Sequence, residues 1–195
     1  ADPKMKGRVC TRSGQHVYNV SLLASIIAAK GEAFAEQWAR GVKANLARKP
    51  QGDDRAQVKA VFQGECDVAL GNTYYMGKMQ TNEKKPEQKQ WAAAVNVVFP
   101  NQAGRGAHVN ISGAGVTKSA KNKAGAIKLI EFLSSDAAQK IYAEDNFEYP
   151  VKAGVKLHPV VASWGTFKAD EQFLSKIAEQ RTTATRIMDK VRFDN

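Results

Sequence analysis

Two tyrosines stand side by side in the stretch Gly71-Asn72-Thr73-Tyr74-Tyr75-Met76-Gly77, directly after the apolar run Val68-Ala69-Leu70. The composition of this stretch predicts a turn. Adjacent phenols on a turn suit neither a core nor a bare surface, and a small, hard, highly charged cation would account for them. Ferric ion fits that description, because it favours anionic oxygen over sulfur and phenolate is the hardest strongly basic oxygen a side chain offers. A free tyrosine keeps its proton to about pH 10, but a bound cation stabilises the deprotonated form near neutrality. The other reading is ordinary packing, with rings half-buried in a cleft and hydroxyls on water or a carbonyl. The pair alone does not choose between them.

The elements around the phenols have to position them. The turn leaves a strand-like run at 66–70, and in open α/β sheets ligands collect at the carboxyl ends of strands. A second strand-like run at 7–10 leads through the polar turn Thr11-Arg12-Ser13-Gly14-Gln15-His16 into helical apolar spacing over 17–29. A strand feeding a helix through a Ser-Gly turn aims unpaired amides at one point, and the helix dipole makes that point attractive to an anion. An ordinary N-cap is the alternative. Tyr18 lies in the first turn of this helix, either as a packing residue or facing the anion-attracting turn. Cys10 and Cys66 end and begin the two strand-like runs; they are too far apart for a CxxC redox motif and too few for a zinc site. Neighbouring strands would allow a disulfide, and two buried thiols are the alternative.

Further helices are predicted over 32–46, with Phe34, Trp38, Val42 and Leu46 on one face, and from Asp53-Asp54 to 62. In the second of these, Val58, Val61 and Phe62 point inward. Residues 80–90 read as surface helix or loop, and 94–99 as a strand. The connection 101–106 lacks the GxxxxGK[ST] order of a phosphate loop and reads as a hinge or crossover. Short strand-like pieces follow at 108–111 and 113–116. Helical spacing returns over 122–133 and again after Ser134-Ser135-Asp136, with an extended return at 147–151 and tail helices over 173–178 and 182–191. Helices alternating with short strands define an α/β architecture. His16, His108 and His158 lack the spacing of a zinc site or catalytic triad and read as structural.

With 195 residues the chain holds one or two domains. Its formal charge of +10, from 29 Lys and Arg against 19 Asp and Glu, draws anionic partners. The basic residues are scattered and no zinc-finger, ribonucleoprotein or KH pattern occurs. A basic nucleic-acid-binding module therefore stands as an alternative only, and steeply salt-dependent DNA affinity would mark it. No apolar run approaches the roughly 20 residues of a membrane span; the longest, 22–29, suits a buried helix. Without a nucleophile-base pair or paired carboxylates the chain reads as a binding protein, not an enzyme. The start, Ala1-Asp2-Pro3-Lys4, has neither initiator methionine nor signal segment, so an upstream piece is expected to have been removed.

Several stretches together resemble one family, the bacterial periplasmic ferric-ion-binding proteins, which have the type 2 periplasmic binding fold. They are Lys6-Gly7-Arg8-Val9-Cys10 with Arg12-Ser13-Gly14 and Tyr18-Asn19; Gly64-Glu65-Cys66-Asp67-Val68-Ala69 leading into Asn72-Thr73-Tyr74-Tyr75; and Ile111-Ser112-Gly113-Ala114-Gly115-Val116 with the helix from Ala126 to Ser134. Tyr149-Pro150-Val151 closes the match. The resemblance implies that Tyr74 and Tyr75 ligate Fe3+ and that Tyr18 supplies a third phenolate. It also implies a synergistic carbonate or phosphate at Arg12, Ser13 and Gly14, with Asn72 and Arg12 supporting the ligands from behind. The implied role is periplasmic substrate binding for a ferric-iron ABC importer, with an inner-membrane permease as partner; another small solute is the alternative cargo.

The implied fold is the tyrosine-bearing lobe, a mixed sheet flanked by helices, with a segment of the other lobe. Its expected boundaries are 1–105 for the first part of the tyrosine-bearing lobe, 106–154 for the return segment belonging to the other lobe, and 155–195 for helices packing back. The departure lies at the front, where most of the first lobe that such proteins carry has no counterpart, and where Met5 stands in place of an aromatic residue. Self-association through the face left by that lobe is a further expectation.

Overall fold

In the computed structural model, which describes residues 1–195, two short strands organise the larger of two units. β1 (Val9–Cys10) runs parallel to β2 (Val68–Ala69), Val9 opposite Val68 and Cys10 opposite Ala69. Cys10 and Cys66 are joined by a disulfide, their Cα atoms 5.9 Å apart. Parallel strands place their carboxyl ends side by side, so the segments leaving β1 and β2 emerge at one edge. That edge carries the chemistry described below.

Helix α1 (Val17–Lys30) follows β1 and forms the core of this unit. His16 caps its start, Nδ1 accepting from the Tyr18 N–H, and Gly31, at φ 84°, ends it in a conformation that favours glycine. Leu23, Ala24 and Ile27 pack with Ala35, Ala39 and Val42 of α2 (Glu32–Ala44), and with Ile177 of α9 (Leu174–Glu179) and Ala184, Ile187 and Met188 of α10 (Arg181–Lys190). The inner face of α2 differs from the expected one. Small alanines at i and i+4 let the helix backbones approach, while Phe34 is exposed and Trp38 and Leu46 pack only at the margin. α3 (Asp54–Phe62) is capped by Asp53 and buries Gln57 and Val58, whereas Phe62 faces out. α4 (Thr73–Gln80) and α5 (Glu87–Ala93) complete the unit, which comprises residues 1–110 and 167–195.

The sheet is smaller than expected: two parallel strands and no mixed sheet. Residues 94–99 do alternate, with Val95, Val97 and Phe99 half-buried and Ala94, Asn96 and Val98 exposed, which is the period of a strand. They form no ladder, although the Phe99 ring stacks on that of Phe167 with centroids 4.2 Å apart. The pieces at 108–111, 113–116 and 147–151 form no sheet either. Next to the first of them, Ala107 bridges to Ala169.

Residues 111–166 form the second unit. It contains α6 (Lys123–Leu133), capped by Asn122, α7 (Asp136–Asn146), capped by Ser135, and the short α8 (Pro159–Ala162), capped by His158. The residues 155–166 thus fall in this unit and not with the C-terminal helices. The Phe147 ring meets His158 edge-on with centroids 4.7 Å apart. None of the helices is long and apolar enough to cross a membrane.

Candidate metal centre

Tyr74 and Tyr75 lie in the first turn of α4 and not in a free turn. Asn72 is extended, at φ −85° and ψ 138°, and starts the helix. Gly77, at the end of the stretch read as a turn, is buried inside the helix, where its lack of a side chain suits close packing. The two rings stack with centroids 4.3 Å apart. Tyr18, one residue into α1, brings its hydroxyl to 2.8 Å from that of Tyr74. Burial raises the Tyr74 pKa well above the usual phenol value, and the hydrogen bond with Tyr18 and the adjacent Tyr75 phenol raise it further. Tyr18 and Tyr75 thus each contact Tyr74, the first through its hydroxyl and the second through its ring.

Each ring has a cation over its face. The Arg12 guanidinium lies 5.0 Å from the Tyr18 centroid, Arg55 lies 4.7 Å from Tyr75, and the Lys78 ammonium lies 5.3 Å from Tyr74. Arg12 is ion-paired with Asp54 at 2.5 Å and Arg55 with Asp53 at 3.2 Å, while Lys78 has no carboxylate partner. Positive charge beside a phenol favours its deprotonated form and opposes the effect of burial. No group of three or more His, Cys, Asp or Glu is placed to hold a metal.

The loop between β1 and α1 is held by side chains that face inward. Asn19, almost fully buried, donates to Thr11 Oγ1 and to the carbonyls of Arg12 and Ser13. At the expected anion position the structure places the chain's own carboxylate: Ser13 Oγ donates to Asp194 Oδ2 at 2.6 Å and the Gly14 N–H to Asp194 Oδ1 at 2.7 Å. Gly14 also has a packing reason to lack a side chain, since a Cβ there would lie 2.7 Å from the Phe193 ring. An external anion at Ser13 and Gly14 would have to displace Asp194, and Arg12 is committed to Asp54. Asn72 directs its Oδ1 to the Asn110 amide, at 3.1 Å, and its backbone N–H to Asp54.

Sequence reasoning missed Asp54, Arg55, Lys78 and Asp194. Lys78 is four residues after Tyr74, the spacing of neighbours on a helix, and placing the tyrosines on a helix would have found it. Asp54 was legible only as a first-turn acid, and Asp194 reaches Gly14 across almost the whole chain. The histidines have structural partners: His16 and His158 cap helices, and His108 Nε2 hydrogen-bonds with Ser21 Oγ at 3.1 Å. A cleft of about 1120 Å3, lined by Lys30, Arg105, Lys168, Phe173 and Lys176 among others, lies at the opposite end of α1 and shares no residue with the tyrosine cluster.

Comparison with known proteins gives the family to which this fold belongs. Residues 1–169 match the family described as bacterial extracellular solute-binding proteins, and the chain belongs to that family. Over 97% of its length it is 53% identical to Iron uptake protein A1 of Synechocystis sp., covering 52% of that protein. It is 32% identical to the Major ferric iron-binding protein of Neisseria meningitidis, again over 52% of the relative. Among solved structures, the apo ferric ion-binding protein A of Pasteurella haemolytica superposes on the whole chain with a TM-score of 0.94 at 49% identity, and the chain covers 60% of it. A Trichodesmium protein in complex with iron and citrate ligands gives 0.93 at 46% identity over 98% of this chain and 60% of the other. The chain thus has the fold of the tyrosine-bearing part of these type 2 periplasmic binding proteins and spans about half the length of the curated relatives it matches.

Proposed function

We propose that the chain receives ferric ion through Tyr18, Tyr74 and Tyr75, as part of the periplasmic substrate-binding component of a ferric-iron ABC importer whose membrane permease takes the cargo onward. The single observation that carries this reading is the meeting of three phenols, with Tyr18 and Tyr74 oxygens 2.8 Å apart, beneath three cations. Three phenolates balance the charge of Fe3+ without an acidic site. Hydrogen-bonded phenols in an apo site are protonated, so the metal has to displace those protons on entry and acid has to return them. An accompanying carbonate or phosphate takes a coordination position the phenols leave open. With Ser13 and Gly14 occupied by Asp194, the anion either displaces that carboxylate or is received by Lys78, the cation beside the site without a carboxylate partner. The relatives carry the same reading by name, as iron uptake and ferric iron-binding proteins.

Adding ferric citrate to the chain is expected to produce a visible phenolate-to-iron charge-transfer band that fades on acidification. The Tyr74→Phe, Tyr75→Phe double variant is expected to lose it. A parent protein that stays colourless in ferric citrate overturns the reading.

A further inference from the structure

We infer that Asp54 is the positioning residue of the tyrosine cluster: one buried carboxylate that ties the loop ahead of Tyr18 to the start of the helix bearing Tyr74 and Tyr75. The inference rests on the ferric reading for its purpose but on contacts for its content. The Asp54 side chain is 2% exposed. Its Oδ2 accepts from Arg12 Nη1 at 2.5 Å, and Arg12 lies over the Tyr18 ring. Its Oδ1 accepts from the Asn72 N–H at 2.7 Å, and Asn72 starts α4 without a side-chain cap of its own. The two strands deliver these segments to one edge; Asp54 joins them there.

Local structure leaves Asp54 free for this task. Asp53 caps α3, its Oδ1 accepting from the Ala56 N–H at 3.0 Å, so the adjacent carboxylate is not needed for capping. As the first residue of α3, Asp54 has its charge stabilised by the helix N-terminus. The chain passes close by at Gly71, where an added Cβ would lie 3.0 Å from Asp54 Oδ1. A buried carboxylate is stable only when its oxygens are paired, and here both partners belong to the phenol-bearing segments. Phenols that must converge to within a hydrogen bond need their supports fixed to a fraction of an ångström.

The test compares Asp54→Ala, Asp54→Asn and Val58→Ala in the full chain. Val58 is buried on the same helix and takes no part in the hydrogen bonds of Asp54, so its variant reports the effect of loosening α3. Asp54→Ala is expected to weaken ferric binding, titrated against citrate, at least about tenfold and to shift the charge-transfer band, whereas Val58→Ala lowers stability and leaves the band in place. Asp54→Asn keeps an acceptor for the Asn72 N–H and loses the charge on Arg12, so it is expected to fall between the two. If Asp54→Ala does not fold, Asp54→Asn carries the test. Parent-like affinity, within twofold, and an unshifted band in whichever Asp54 variant folds would overturn the proposal. An independent readout separates it from the ferric reading. In metal-free protein, near-ultraviolet circular dichroism, with Tyr74→Phe assigning the Tyr74 contribution, should show the Tyr74 signal diminished in the Asp54 variants and kept in Val58→Ala. A colourless parent would strike the ferric reading and leave this spectrum to decide on Asp54; an unchanged Tyr74 signal in the Asp54 variants would overturn Asp54 alone.

Discussion

The two units of the chain use the same local vocabulary and differ in what packs on it. In the larger unit α1 is buried along most of its length, and four helices contribute to one core around Leu23 and Ile187. In the smaller unit α6 carries Ile127, Leu129, Ile130, Phe132 and Leu133 and buries none of them; Ile127, Leu129 and Phe132 are each about half exposed. Both helices begin with a proper side-chain cap. Capping and periodicity are local, whereas burial depends on whether the opposing surface is present in the same chain. Helices as short as α6 draw most of their stability from packing an apolar face, so the smaller unit is expected to open more easily than the larger.

The largest effect follows from a matched pair of truncations. Leu23 is fully buried, and Leu23→Ala is expected to cost about 2–5 kcal/mol in lost contacts and cavity. Leu129 is 57% exposed, and Leu129→Ala is expected to cost less than about 0.5 kcal/mol. Denaturant unfolding of each variant measures both. A Leu129→Ala cost close to that of Leu23→Ala would break the comparison, because the face of α6 would then be covered in solution, and sedimentation would show whether a second copy covers it.

The disulfide sharpens the contrast, since both cysteines of the chain lie in the larger unit. Closing 56 residues into a loop lowers the entropy of the unfolded chain, an effect of about 4 kcal/mol on the chain-entropy view. Reduction is expected to lower the unfolding midpoint of the larger unit and leave exchange of the α6 amides unchanged. If α6 exchange accelerates to the same extent, the two units unfold as one.

How much of this was legible beforehand follows the same division between local and long-range. The helices were readable because caps and apolar spacing are written within a few residues: Asp53 before α3, Asn122 before α6 and Ser135 before α7. The alternation at 94–99 was equally readable and misled, because a strand needs a neighbour that the sequence pattern does not supply. The tyrosine pair was recognisable as chemistry, yet its turn was a helix: Asn72 and Gly77 are turn-formers by composition, and packing decides what they do. Tyr18 meeting Tyr74 depends on the parallel register of Val9 with Val68, which no short window contains. The same holds for Asp194 at Gly14, a contact made at the position expected for the anion. The apolar residues of α2 show the limit within one helix: Val42 of the expected face is buried, Trp38 and Leu46 pack at the margin, and Ala35 and Ala39 take the place expected of the exposed Phe34.

The smallest expected effect is a pH dependence confined to the larger unit. Burial lowers the pKa of His16, with the Arg12 charge adding to it, and burial lowers that of His108. Both therefore favour the neutral form when folded. His16 needs that form because Nδ1 accepts the Tyr18 N–H at the start of α1. At pH values above the ordinary histidine pKa of about 6.5 neither state binds the extra proton, and the full stability is present. As pH falls below that value the unfolded chain protonates first, stability declines, and the decline ends once pH has passed through the lowered folded values. Unfolding of the larger unit, followed by exchange of the α1 amides between pH 7.5 and 5, is expected to ease slightly. A folded state that gained stability on acidification would mean that protonated His16 finds a better partner than the helix cap, and the first turn carrying Tyr18 would have to be redrawn.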